Sequence, residues 1–295
     1  MKASDTVQRP GAARGMLRAL AACCLLLAAG GCGLGLIYPR LDTVVGLYLE
    51  GLVTLDEAQS QQLERTLEGN LDWHRDSELG KYSAFLRGMA QSVETGVERA
   101  AWQQASLQAE QYWRDIFEQA APGYTSLAAT LTDAQVEELL ANLAKRDEEE
   151  WREYADRTPA ERSSRREKSV RRMLERFTGP LDRDQRALVR EYAASAPTVM
   201  EAWRENRRAW REALAAALEQ RRSGEQFSAA MFRLIARPDE LWTPQYRAAL
   251  EGNRAAFVDL LARLDGTLSA RQREAAQREL VALADDLLQL AERRG

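Results

Sequence analysis

From Leu41 onward the chain places apolar residues three and four positions apart and nowhere alternates them with period two. That is the pattern of amphipathic helices and not of half-buried strands. Val136, Leu139, Leu140, Leu143, Trp151 and Tyr154 make one stripe, and Val199, Trp203, Trp210, Leu214 and Leu218 make another. Ala276, Leu280, Leu283, Leu287 and Leu290 step four, three, four, three, a seam suited to packing along a neighbouring helix. Pro122, Pro159, Pro180, Pro197, Pro238 and Pro244 are expected between periodic segments, where a missing N–H costs least. Thr158-Pro159 and Thr243-Pro244 read as a cap followed by the first helical position. The spacing predicts an all-α protein, an irregular multi-helix bundle of about nine or ten helices. It occupies residues 41–295 as one domain, or as two abutting sub-bundles.

One start signal recurs. "LDEAQ" (55–59), "LTDAQ" (131–135), "LDRDQ" (181–185) and "LSARQ" (268–272) each set Leu before a capping residue, with Gln three positions beyond the cap. The cap oxygen accepts from an orphan N–H of the first turn, and the Gln reaches back to the cap's own N–H. Each such cap is worth about 1 kcal/mol. The second copy resembles the LTxxQ motif of small helical periplasmic stress chaperones. A longer echo links "NRRAWREAL" (206–214) to "NRAAFVDLL" (253–261). Asn206 and Asn253 sit beside the apolar stripes of their helices. They satisfy buried polar groups there or form a polar pair between helices.

The N-terminus carries a different signal. Lys2, Arg9, Arg14 and Arg18 precede an apolar run, Ala19 to Ala29, that ends in Gly30-Gly31-Cys32. A basic region, a short apolar region and small residues before a cleavage point form a secretory signal. The run is shorter than the roughly 20 residues a spanning helix needs. "AAGGC" resembles the lipobox of bacterial lipoproteins, in which the Cys is acylated and becomes the first mature residue. Residues 1–31 then read as a signal peptide, Cys32 as the lipid attachment site and 32–40 as a tether. Gly33 after the Cys, by analogy with Gram-negative sorting, resembles an outer-membrane destination facing the periplasm rather than inner-membrane retention. Cys23 and Cys24 leave with the signal, so no disulfide framework is available and stability rests on a packed core.

Charge narrows the partners. Removing residues 1–31 takes away four cations and one anion and moves the formal charge from −4 to −7. An acidic body lacks the overall basic face of a nucleic-acid binder. Locally, "DEEEWRE" (147–153) is followed by Arg162, Arg165, Arg166, Lys168, Arg171, Arg172 and Arg176. On a helix these make a cationic ridge. It either pairs with a neighbouring acidic ridge or docks on an anionic envelope partner, a protein or a lipid head group.

Candidate chemistry is sparse. His74 is the single histidine, in "LDWHRDSELGKY", with Asp72, Arg75, Asp76 and Glu78 nearby. A lone His beside carboxylates reads as an ion pair more readily than as a general acid or base. No second His or free Cys completes a transition-metal shell, and no phosphate loop or nucleophile elbow occurs. No cofactor is expected.

"YPRLD" (38–42), "WHR" followed by "ELGKY" (73–82), "TPAERSSRR" (158–166) and "GPLDRDQ" (179–185) stand in this order behind the lipobox. As a set they resemble an uncharacterised family of all-helical proteobacterial lipoproteins. The resemblance matches Trp73, His74, Arg75, Arg162, Arg165, Arg166 and Gln185, and departs at Gly80, where the family commonly has Pro. It implies a lipoprotein with an all-helical body and implies no activity. The function expected is a non-enzymatic binding or scaffolding module of the cell envelope, with a chaperone-like stress factor as the alternative. An enzyme centred on His74 is the weakest reading.

Overall fold

The computed structural model describes residues 38–292. The expected signal peptide, residues 1–31, and the expected lipid attachment site, Cys32, lie outside the described residues. A 3-10 turn at Tyr38–Arg40 leads into α1 (Leu41–Glu50). α2 (Glu57–Trp73) runs through a π turn, His74–Glu78, directly into α3 (Leu79–Thr95). The chain continues through α4 (Arg99–Ala129), α5 (Asp133–Ala155), α6 (Pro159–Thr178), α7 (Arg183–Ser195), α8 (Met200–Glu219) and α9 (Glu225–Ala236). A second 3-10 turn, Pro238–Leu241, precedes α10 (Pro244–Asp265) and α11 (Ala270–Glu292). With α2 and α3 joined end to end, these make ten rods, and no strand occurs among the described residues.

The apolar stripes face where their periods direct them. Val136 and Leu143 of α5 meet Leu214, Ala217 and Leu218 of α8, together with Phe227, Met231 and Leu234 of α9. Leu174, Leu181, Val189, Leu260 and Leu264 form a second core among α6, α7 and α10. The α11 seam lies along α3, where Ala90, Ala276 and Ala284 are buried and the Ser83 hydroxyl donates to the Ala284 carbonyl at 2.8 Å. Small side chains let these two backbones approach closely. Each fully buried Leu in these cores is worth about 1.5–3 kcal/mol.

All four predicted capping boxes form, and Thr158 with Glu161 makes a fifth. The glutamine boxes do more than cap. Gln59 and Gln135 exchange amide hydrogen bonds at 3.1 and 2.6 Å, and Gln185 and Gln272 do the same at 3.0 and 2.8 Å. Each amide also donates to the carbonyl just before its partner's box: Gln59 to Thr130, Gln135 to Thr54, Gln185 to Thr267 and Gln272 to Pro180. Two helix starts are thus clasped head to head, twice, with the same geometry. Glu161 stands outside any clasp, and there the N3 residue needs only to accept.

Pro122 lies inside α4 and not between helices as its type predicts. An interior proline costs about 3 kcal/mol. Here Ala120, Ala121, Thr125 and Leu127 around it are all buried, and that tertiary packing outweighs the penalty. The next residue shows why the site stays small. A Cβ on Gly123 would lie 2.4 Å from Cγ2 of Thr66, so α2 crosses α4 at this point.

One buried ion pair ties three helix ends together. Asp265, 6% exposed, accepts from Arg273 (Nη1, 3.0 Å) and from the Val97 amide (3.1 Å). Arg273 in turn donates to the Val93 carbonyl at 3.0 Å. Gly96 makes room by taking φ +103°, where a side chain would be strained and would crowd the Asp265 carboxylate.

Candidate functional site

The segment around His74 is built by the π turn. Leu79 donates its N–H to the His74 carbonyl, five residues back, so one extra residue is inserted into the helix. That residue turns the following stripe by about 100°. Gln59, Leu63 and Leu67 are buried along α2, whereas Leu79, Ser83, Ala90 and Val93 of α3 face α11. The helix passes Gly80 without a break, and nothing lies within 4 Å of where its Cβ would stand. π insertions are frequent at functional sites, which makes this the place to look for chemistry.

His74 is enclosed by aromatic rings. Tyr38 stacks on it with centroids 5.8 Å apart, Tyr82 meets it edge-on at 5.4 Å, and Trp73 is tilted at 6.5 Å. Burial lowers the His74 pKa to about 4, so the ring is neutral at pH 7. The Tyr38 hydroxyl hydrogen-bonds to the His74 Nδ1 at 2.9 Å and also lies 3.5 Å from the Leu71 carbonyl. Burial also pushes the Tyr38 and Tyr82 hydroxyls well above the usual phenol range. Arg75 pairs with Asp72 at 2.9 Å. The expected ion pair is therefore made by Arg75, and His74 is a neutral ring hydrogen-bonded to Tyr38.

Tyr38 and Tyr82 were not legible from the sequence as partners of His74. Tyr38 was assigned to the tether, yet it is buried against Leu79, Leu283, Leu287 and Leu290. Tyr38 is therefore part of the packed body. Glu78 sends Oε1 to Lys81 at 2.6 Å, and its Oε2 has no protein partner although the side chain is only 1% exposed. The Tyr82 hydroxyl is buried and likewise unpartnered. Among the described residues, no cluster of His, Cys, Asp and Glu has the spacing to hold a metal ion.

The cationic ridge is largely answered from within. Arg162 lies 4.3 Å over the Tyr154 ring and 3.6 Å from Glu201, and Arg165 lies 3.8 Å from Glu153. Arg166 closes the C-terminal end of α7 by donating to the carbonyls of Ala193 (3.3 Å) and Ala196 (2.8 Å). Arg171 reaches Glu175 at 3.8 Å, and Arg176 lies over Phe177. Lys168 and Arg172 are exposed, four residues apart on one helix face, and neither has an acid within 4.0 Å among the described residues. The first two acids of 147–153 look to α8. Asp147 pairs with Arg207 at 3.0 Å and with Arg211, and Glu148 pairs with Arg204 at 3.2 Å. A polar groove of about 440 Å³ lies between α5 and α8, and Asp147, Glu148, Arg204 and Arg211 line it.

One family matches residues 51–247, which takes in the π turn, the cationic ridge and the first three glutamine boxes. The chain belongs to DUF6279, a family of unknown function. No curated protein and no solved structure matches the chain. The DUF6279 span ends before the fourth box, so Gln272, which clasps Gln185, lies beyond it.

Asn253 also lies beyond that span. Asn206 and Asn253 do not bond to each other. Asn206 accepts from the Thr243 amide at 2.8 Å, just before α10, and Asn253 donates to the Pro197 carbonyl at 3.1 Å, just before α8. Each holds the segment leading into the other's helix. The echo in sequence is a reciprocal strut.

Proposed function

We propose that this chain is a bacterial lipoprotein, anchored through Cys32 and facing the periplasm from the outer membrane, and that its body is a non-enzymatic binding or scaffolding module. The observation that carries the binding reading is the residue of charge on α6. Internal pairing engages Arg162, Arg165, Arg166 and Arg171, and leaves Lys168 and Arg172 exposed together without an acid. An unanswered cation pair on a rigid helix, in a body of net negative charge, suits a localised anionic partner. His74 is read as a positioning residue, since its Nδ1 is engaged by Tyr38 and burial keeps the ring uncharged. The likeness of "LTDAQ" to the LTxxQ chaperones supports no separate reading, because Gln135 is committed to the internal clasp.

Two variants test the two halves of this proposal. Cys32→Ser should leave an unlipidated precursor, and normal processing of that variant would overturn the localisation. Lys168→Glu with Arg172→Glu should abolish co-purification of partners after in-cell crosslinking while circular dichroism stays unchanged. An unchanged partner set sinks the binding face.

A further inference from the structure

α1 carries an apolar face that nothing among the described residues covers. None of its residues is buried. Its inward side is held: Val45 and Leu49 pack on Leu63, Leu67 and Leu127, and the Tyr48 ring lies 4.4 Å under the Arg146 guanidinium. Its outward side is the stripe Arg40, Thr43, Val44 and Leu47, with Val44 49% and Leu47 65% exposed. Leu47 is the most exposed of the large hydrophobic side chains among the described residues. Single exposed aliphatics are ordinary. Two on adjacent turns of the first helix after the tether are not.

The place of α1 in the chain decides what covers it. Arg40 stands eight residues after Cys32, and eight fully extended residues reach at most about 30 Å. Leu47 lies about 10 Å further along the helix. A lipid on Cys32 therefore keeps this face within reach of the bilayer surface, a condition that the exposed Leu107 on α4 and Phe232 on α9 do not share by position in the chain. Arg40, at the tether end of the stripe, supplies a cation with a long stem for headgroup phosphates.

We infer that α1 is a second membrane contact: it lies along the bilayer that holds the anchor, with Val44 and Leu47 among the upper acyl chains and Arg40 at the phosphates. Interfacial helices bury their apolar face about 5–10 Å into this boundary. The contact fixes the orientation of the body relative to the bilayer, which a single anchor point at Cys32 does not. The inference rests on the lipoprotein reading above.

The mature chain has Cys32 as its sole cysteine under that reading, so single thiols can be placed elsewhere and labelled with an environment-sensitive dye. Val44→Cys, Leu47→Cys, Leu107→Cys and Phe232→Cys are prepared with their own signal, and lipidation is established by mass. Each is reconstituted in vesicles of phosphatidylethanolamine and phosphatidylglycerol. Dyes at positions 44 and 47 should shift to the blue and be quenched several-fold more by nitroxide lipids than dyes at 107 and 232. Lipidated protein whose dyes at 44 and 47 stay in water, or in which all four positions respond alike, overturns the inference and leaves the anchor intact. A blue shift that needs no vesicles and grows with protein concentration assigns the face to a second copy, and also overturns it. Absence of lipid on Cys32 overturns the lipoprotein reading and the inference with it.

Discussion

Gln185→Glu changes one atom of a fully buried side chain and separates two roles that the sequence motif merges. As a capping-box residue, Gln185 accepts from the Asp182 amide at 3.0 Å, and Glu accepts there equally well. An added anion in the first turn of α7 is even favoured by about 0.3–1 kcal/mol. Capping alone therefore predicts an unchanged or slightly more stable protein. The clasp predicts the reverse. Gln185 donates Nε2 to the Thr267 carbonyl at 3.1 Å and to Gln272 at 3.0 Å, and Glu donates neither. Each lost bond is worth about 1 kcal/mol net, and a buried acceptor left unsatisfied adds about 1–3 kcal/mol. The bond that Gln272 donates back, at 2.8 Å, survives and offsets part of this. The expected loss is about 3 kcal/mol at neutral pH, shrinking as acid protonates the new carboxyl and restores a donor. Urea unfolding followed by far-ultraviolet circular dichroism reads it, with Glu161→Gln in the unclasped fifth box as the control expected to stay near zero. A loss below about 1 kcal/mol, or one equal to the control, would refute the clasp as a stabilising element.

Other perturbations follow the same reasoning. Arg273→Ala leaves the Asp265 carboxylate buried with only the Val97 amide, and the loss of one partner of such a pair is expected to cost about 3–5 kcal/mol in urea unfolding. Gly96→Ala forces a side chain onto φ +103° beside that carboxylate, and thermal unfolding should drop by several degrees. His74 titrates near pH 4 when folded and near 6.5 when unfolded, so the unfolded chain binds the extra proton first. Its contribution, up to about 3 kcal/mol, is complete above pH 6.5 and is lost as pH falls toward 4, a loss that His74→Gln should flatten. Proton NMR of the single imidazole checks the value, and a midpoint near 6.5 in the folded protein would contradict the enclosure described.

Legibility divides by distance along the chain. Helix starts at Asp56, Thr132, Thr158, Asp182 and Thr243 could be read because a cap binds within its own first turn, so that spacing alone specifies the partner. The apolar stripes of α5, α8 and α11 were equally legible, since a period of 3.6 declares which face is to be buried. What each face meets was not. Pro122 misled because its local penalty is outweighed by burial contributed from other helices. The ridge on α6 and the acids of α5 looked like mutual partners, yet Asp147 and Glu148 turn to α8, which helix packing brings alongside α5, and Glu153 meets the ridge at Arg165.

The sequence by itself determined an all-α body, its caps and the residue types available for chemistry. The tertiary structure alone decided that the capping glutamines are clasped across 76 and 87 residues. It also decided that Tyr38 belongs to the body and engages His74, and that Asn206 and Asn253 hold each other's helices without touching. A turn of helix is written in neighbouring residues, whereas a bond between distant side chains exists only once packing has fixed the distance and angle at which two helices meet.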